Sequence, residues 1–207
     1  MTDPTAYLLL LARASDRSFS DYVAALPALH QRHGGHFAAV APAPMVEQYG
    51  HNGSAHAVML SGWPSLQQSL AFWQSAAHGA LLRRFSADAM VAIAVEAEPG
   101  LQRSSETEAL AVFLGPGPTP ALLEAAGARA LALVRERHVT ALQGHWSHGD
   151  VAIYGWDSER DARRQLVAFS SGQRGRAMLL PGLNAGRPSA SRHPQGHEFA
   201  PLLLQAS

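Results

Sequence analysis

Apolar positions along the chain fall into short blocks that switch between strand-like and helix-like spacing. An unbroken apolar run over 7–12, bounded by Pro4 and by Arg13-Ala14-Ser15-Asp16, predicts a strand buried on both faces. Phe19, Tyr22, Val23, Leu26 and Leu29 then recur at helical spacing, with Ser18 or Ser20 in reach as a cap. Gly34-Gly35 ends that helix, because glycine takes the left-handed conformation a C-terminal cap needs. Strands are predicted over 36–40, 55–60 and 90–97. They are separated by the breaker Ala41-Pro42-Ala43-Pro44, by turn chemistry at 50–54, and by a helix that Pro64 and Ser65 open and that runs to about Ser75. The order βαββαβ is that of a split-βαβ, ferredoxin-like unit.

After a polar stretch over 98–108 that holds Pro99 and Gly100, the order starts again. A strand is predicted over 109–114 and a long helix from Thr119-Pro120 through Arg137. A hairpin over 140–146 and 151–156, a helix over 158–169 and a last strand over 199–205 complete the second set. Three letter matches accompany the repeat: Arg32-His33 with Arg137-His138, Gly62-Trp63-Pro64-Ser65 with Gly155-Trp156-Asp157-Ser158, and Ser75-x-x-His78-Gly79 with Ser171-x-x-Arg174-Gly175. The chain is therefore expected to hold a first unit at 1–98, a linker at 99–108 and a degenerate second unit at 109–207. On these matches His33 to Trp63 spans 30 positions and His138 to Trp156 only 18, which predicts a second hairpin shortened by about a dozen residues.

The first half also carries Phe19-x-x-Tyr22, His33-Gly34-Gly35-His36-Phe37, Trp63-Pro64-Ser65 and Phe72-Trp73-Gln74-Ser75-x-x-His78. This series resembles the bacterial domain-of-unknown-function family numbered thirteen-thirty. The family shows Tyr-Gly-Gly-Arg-Phe, Phe-Pro-Ser and Trp-Tyr-Asn-Ser-Pro-Glu-Tyr at the corresponding places. The resemblance implies ferredoxin-like units paired sheet on sheet as a dimeric α/β barrel, and two copies in one chain imply a fused pseudo-dimer. It departs from the family at polar positions, with His33 for Tyr, His36 for Arg or Lys and His78 for Tyr. In the second copy Asp157 stands for the Pro, and Gly172 and Arg174 for the Pro and Tyr of the last motif. The family implies no common chemistry. The fold class expected is α+β, two tandem ferredoxin-like units packed as an α/β barrel.

Composition agrees with a buried sheet face. Only 15% of residues are charged while 47% are hydrophobic, so a large apolar surface must be covered by core or interface. Lys+Arg and Asp+Glu balance at 16 each, which gives no general attraction for nucleic acid or acidic membranes. The absence of cysteine excludes disulfide scaffolds, thiol catalysis and Cys-ligated metal. Residues 1–4 carry no basic leader and the run at 7–12 is too short for an export segment or a span, so a cytoplasmic protein is expected. There is no Gly-x-Ser-x-Gly elbow, P-loop or dinucleotide fingerprint. In Gly115-Pro116-Gly117-Pro118-Thr119 the two prolines remove amides that a phosphate would need.

Eleven histidines are what remains for chemistry. His30, His33 and His36 cluster about a helix end, where three readings stay open: solvation at the helix C-terminus, one member in a ligand pocket, or a metal site. His145-Trp146-Ser147-His148 reads as a polar turn, and His193-Pro194-Gln195-Gly196-His197, with Arg187 and Arg192 nearby, as a surface loop or lid. His56 shares a strand face with Val58 and Leu60, where two readings stay open: a satisfied or solvent-tipped histidine, or a general base. The candidate catalytic residues are His36, His56, Tyr22 and His78. The candidate ligand-binding residues are Trp73, Trp63, Arg83 and Arg174, with Trp63 and Trp156 also expected to pack strand-to-helix corners. The expected function is small-molecule binding by an α/β barrel, in its interior or in its helix–sheet clefts, with cofactor-independent isomerase, cyclase or monooxygenase chemistry on a fairly apolar organic substrate. No cofactor, metal, nucleic acid or membrane partner is expected, and a further homodimer is left open. A non-catalytic binding protein is the first alternative and a haem- or metal-binding barrel the second.

Overall fold

A computed structural model describes residues 4–50, 56–85, 87–96, 107–170 and 175–182 of the chain. In the first half β1 (Ala6–Ala14) leads through α1 (Asp16–Ala24) and α2 (Pro27–Arg32) to β2 (His36–Ala41). A 3-10 turn (Ala43–Met45), β3 (Glu47–Gly50), β4 (Ala57–Trp63), α3 (Leu66–Trp73), α4 (Ala76–Leu82) and β5 (Ala87–Glu96) follow. The second half repeats this as β6 (Ala109–Leu114), α5 (Pro120–Ala125), β7 (Arg129–Val134), a 3-10 turn (Glu136–His138) and β8 (Thr140–Gln143). It ends in β9 (Val151–Trp156), α6 (Glu159–Ser170) and β10 (Arg176–Pro181).

The strands form two antiparallel five-stranded sheets, ordered β2-β4-β1-β5-β8 and β3-β10-β6-β9-β7. Each half therefore donates one strand to the other half's sheet. Pro42 and Pro44 with the 3-10 turn end β2, and the chain crosses so that β3 pairs with β10. Reciprocally, β8 crosses to pair with β5. The sheets face each other across an apolar layer that includes Tyr7, Leu9, Leu11, Val58, Leu60, Ile93 and Val95 from one side. Leu110, Val112, Leu131, Ile153, Met178 and Leu180 fill it from the other. Alternate residues of the same strands turn outward: Leu8 and Leu10 pack under α1 to α4, and Ala111 and Phe113 under α5 and α6. A strand with apolar cover on both faces needs no polar alternation, which accounts for the unbroken run at the start of the chain. The architecture is that of two ferredoxin-like repeats fused as an α/β barrel, and no described helix is long and apolar enough to cross a membrane.

Several local expectations are corrected. The predicted long helix from Thr119-Pro120 to Arg137 is α5, β7 and a 3-10 turn, because Gly127 at φ 82 closes the helix after two turns and the Ala/Leu-rich segment behind it is buried beside β9. The predicted hairpin over 140–146 and 151–156 does not form, since β8 pairs with β5. Expected four-stranded sheets are five-stranded for the same reason. β3 and α4 had no counterpart among the predicted elements, and the first predicted helix is broken into α1 and α2 at Pro27. The predicted strand at 199–205 lies outside the described residues. The place beside β6, where the fourth strand of the second repeat belongs, is held by β10.

Superposing the halves by register changes the repeat as well. His36 pairs with Gly62 and Arg129 with Gly155, and each ladder slips by one residue at the same distance along the strand. Both β2 and β7 begin 27 positions before the tryptophan that ends β4 or β9, so there is no shortened hairpin. Arg137-His138 belongs to the 3-10 turn that matches Ala43–Met45, and its likeness to Arg32-His33 is coincidental. The Gly-Trp-x-Ser match is structural: Ser65 Oγ accepts from Gln68 N at 3.2 Å and Ser158 Oγ from Asp161 N at 3.3 Å, while Trp63 and Trp156 are both buried. The third match falls at 171–174, outside the described residues.

Candidate functional site

Two of the expected residues meet. Tyr22 lies in the last turn of α1, whose start is capped by Ser15 Oγ accepting from Ser18 N at 3.1 Å. His78 lies in α4, where Ser75 Oγ accepts from the His78 amide at 3.2 Å. The Tyr22 hydroxyl is 2.8 Å from His78 Nε2, and His78 Nδ1 is 3.0 Å from the Trp73 carbonyl oxygen. A carbonyl can only accept, so Nδ1 carries the imidazole proton and Nε2 accepts from the phenol. The result is a single-file chain, phenol to imidazole to carbonyl, with one proton order.

Its surroundings are aromatic. His78 is fully enclosed, with ring centroids of Phe72 and Trp73 each 4.5 Å from its own, and Tyr22 stacks on Phe85 at 4.6 Å. Burial pushes the His78 pKa down, although the hydrogen bond to Trp73 opposes this, and burial pushes the Tyr22 phenol up. Both groups are thus held neutral at ordinary pH. Tyr22 forms part of the lining of an open cleft of about 510 Å³ between α1 and α4, with Ser15, Asp21, Leu81, Arg84 and Phe85 around it. Tyr22 is the residue that both lines this cleft and bonds the enclosed imidazole.

The other expected residues lie elsewhere. His36 sits on β2 with its imidazole across Gly62, and its counterpart in the second half is Arg129. His56 precedes β4 and bonds Arg176, away from the cleft lining. Trp63 is fully buried at the strand-to-helix corner, Trp73 backs His78, and Arg83 is exposed at the C-terminal cap of α4. Arg174, and the loop with His193 and His197, lie outside the described residues. Sequence reasoning missed Phe85, Leu81 and Arg84, which belong to α4 or follow it, because that helix was not foreseen. It also missed Gln48 and Arg176, which only the strand exchange brings together.

The helix-end reading of His30 is corrected too. His30 is 2% exposed and boxed by Phe37, Trp63 and Phe72, so solvent does not reach it. A haem or metal needs an imidazole nitrogen aimed into open space. Both His78 nitrogens are engaged and His30 is closed in by rings, so neither fits that role. Among the described residues no group of three or more His, Asp and Glu side chains is arranged to hold a metal ion.

No protein-family model matches the chain, and no curated protein sequence does. Among solved structures the chain is similar to an anthrone oxidase-like protein, at 11% identity and TM-score 0.48, over 93% of this chain and 98% of that one. It is similar to a chlorite dismutase from Candidatus Nitrospira defluvii at 9% identity and TM-score 0.49, over 87% and 92% of the two chains. A dye-decolorizing protein from V. cholerae is similar at 10% identity and TM-score 0.45, over 87% and 95%. At these identities and scores none of the three carries a functional argument.

Proposed function

We propose that the cleft between α1 and α4 binds a small, fairly apolar organic molecule and performs cofactor-independent proton transfer on it, of the isomerase or cyclase type, or as the deprotonation that opens a monooxygenase type, in which dioxygen leaves one oxygen atom in the substrate and departs with two substrate hydrogens as water. The observation that carries this reading is the Tyr22–His78–Trp73 chain running from the cleft into the core. As an acidic substrate proton moves to the Tyr22 oxygen, the phenol proton moves to His78 Nε2. The Trp73 carbonyl, bonded to Nδ1–H, stabilises the imidazolium that results. Return of the proton through Tyr22 to a different substrate atom completes an isomerisation with atoms and charge balanced. Neutral resting groups suit this role, because the base is empty and the conduit is protonated before substrate arrives.

A second reading, binding without turnover, is favoured by one observation. Tyr22 is only 4% exposed and its hydroxyl bond to His78 is buried, so a ligand reaches little of it. Screening a metabolite panel by thermal shift, followed by turnover assays of the hits, tests both. On the catalytic reading Tyr22→Phe and His78→Gln keep ligand binding and lose turnover by at least about 100-fold, the usual range for a general acid or base. Turnover unchanged in both variants overturns it, and binding with no turnover in the wild type establishes the second reading. By the same motifs we also propose membership of the domain-of-unknown-function family that the first half resembles.

A further inference from the structure

The α1–α4 cleft is not apolar throughout, and its charges are unevenly matched. On the α4 side it is lined by Leu81, Arg84 and Phe85, three residues that helical spacing puts on one face. The Leu81 carbonyl accepts from the Arg84 and Phe85 amides, each at 3.0 Å, so one turn of backbone holds the three together at the end of α4. Leu81 and Phe85 also pack against the core of the first half, and Phe85 stacks on Tyr22 at 4.6 Å. Opposite them α1 contributes Ser15, Ser18, Tyr22 and Ala25, again at spacings of three and four. The second half has no counterpart of α1, since only residues 115–119 stand between β6 and α5. The chain therefore carries one such cleft among its described residues.

Three charged side chains line the cleft: Arg17, Asp21 and Arg84. Arg17 and Asp21 stand one turn apart on α1, with Nε and Oδ2 separated by 3.9 Å, and so offset each other. Among the described residues the Arg84 side chain makes no hydrogen bond and no ion pair. The cleft is left with one unmatched positive charge, on the wall that also presents Leu81 and Phe85. A guanidinium offers a planar fork of donors that the two oxygens of a carboxylate meet together. A phosphate monoester brings closer to two negative charges, against one unmatched cation and an aspartate in the same cleft. The charge count therefore favours a monoanion. A volume of about 510 Å³ leaves room for a sizeable organic body behind the charged group.

We propose that the ligand of the α1–α4 cleft is a monocarboxylic acid with an apolar body, its carboxylate held by Arg84 and its body by Leu81, Phe85 and Ala25. This rests on the reading that the cleft is the ligand site, and adds the chemical class of what enters it. Arg84 selects for charge, a role separate from the proton transfer assigned to Tyr22 and His78. Asp21 works against the anion from the facing helix and so disfavours a ligand with a second negative charge.

The test uses the full chain and calorimetric titration with three probes of one shape: naphthoate, the uncharged naphthamide, and naphthyl phosphate. The expected result is saturable naphthoate binding at one site per chain, with naphthamide weaker by about tenfold or more, the worth of a charge-assisted bond. Arg84→Gln brings naphthoate down to the affinity of naphthamide and leaves naphthamide unchanged. Asp21→Asn strengthens naphthoate by about threefold, as removal of an exposed like charge does. Arg160→Gln, which takes the same charge from the exposed surface of α6, changes neither. Ala25→Trp fills the cleft from an exposed position and abolishes binding of acid and amide alike. Arg84 and Asp21 are exposed, so their variants keep the wild-type melting temperature. Naphthoate binding unchanged in Arg84→Gln but lost in Ala25→Trp overturns the carboxylate and keeps the cleft as the ligand site. Binding unchanged in both variants overturns the cleft reading as well. Equal affinity for acid and amide, tighter binding of naphthyl phosphate than of naphthoate, or no saturable naphthoate binding also overturns the proposal.

Discussion

His30 and Leu123 occupy the same position in the two halves. Each is the residue whose carbonyl accepts from the amide that follows the left-handed glycine of a helix end: Gly35 N to His30 O at 2.9 Å, and Ala128 N to Leu123 O at 2.9 Å. Gly34 at φ 77 and Gly127 at φ 82 make the two turns alike. Leu123 is 3% exposed and His30 2% exposed, yet His30 carries two ring nitrogens without a hydrogen-bond partner. A buried donor or acceptor left unmade costs roughly 1–3 kcal/mol. His30→Leu is therefore expected to stabilise the protein by about 1–3 kcal/mol, measured as a shift in the urea midpoint at constant slope. A destabilised variant would show that an edge-on contact of the imidazole with Phe37 or Trp63 outweighs the lost hydrogen bonds.

Acid should act through the same residue. Burial, with smaller contributions from His78, His36 and His33, lowers the His30 pKa from 6.5 to about 3. The unfolded chain takes up this proton near pH 6.5 while the folded one stays neutral, so stability falls as pH drops from about 6.5 towards 3. Each pH unit in that window costs about 1.4 kcal/mol per such group. His78, also lowered by burial, adds a loss of the same sign. The stability–pH slope of His30→Leu should be shallower by about one proton, and an unchanged slope between pH 4 and 6 would count against the enclosed, neutral His30.

The exchanged strand β3 is clamped to the second half by a carboxylate. Arg163 Nε on α6 donates to Glu47 Oε1 at 2.9 Å and to Oε2 at 3.1 Å, and the Tyr49 hydroxyl donates to Oε2 at 2.8 Å. The Arg163 bond leads in holding the Glu47 pKa below its usual value, so the stabilisation is present at neutral pH and is lost as pH falls through the lowered pKa. Both side chains are well exposed, at 39% and 51%, which limits the contribution to about 0.5–1 kcal/mol. Glu47→Gln should therefore cost little overall stability but speed amide exchange in the β3–β10 ladder, at Gln48 and Met178. Equal exchange in both forms would remove the clamp.

Gly35 is required by contact rather than by backbone angle. A Cβ there would meet the Trp63 ring at 2.4 Å, and Trp63 is itself fully buried against Phe72 at 4.7 Å. Overpacking of this kind costs about 1–3 kcal/mol. Gly35→Ala should lower stability by that amount and perturb tryptophan fluorescence, even though the second half carries Ala128 at the matching position.

Much of the architecture was legible locally. The run Leu8-Leu9-Leu10-Leu11, the glycines at 34 and 35, and the caps Ser65 and Ser158 each act within a few residues, so spacing and composition report them, whereas Ser75, expected to end a helix, caps the start of α4. The segment behind Gly127 misled because alanine and leucine suit a helix, whereas burial beside β9 makes them a strand. Candidate chemistry was legible as residue types only. Tyr22 and His78 stand 56 positions apart, and their hydrogen bond depends on α4, a seven-residue helix too short for its apolar pattern to announce.

What the chain determined by itself is the alternation of elements, the duplication and an apolar surplus that had to be covered, since these follow from short-range periodicity and from the balance of apolar and charged side chains. Tertiary structure decided where β3 and β8 pair. A four-residue strand carries too little pattern to choose between two sheet edges, and the choice falls to whichever edge its crossing connection can reach. That choice places Gln48 beside Arg176 and so creates a polar end in an otherwise apolar layer.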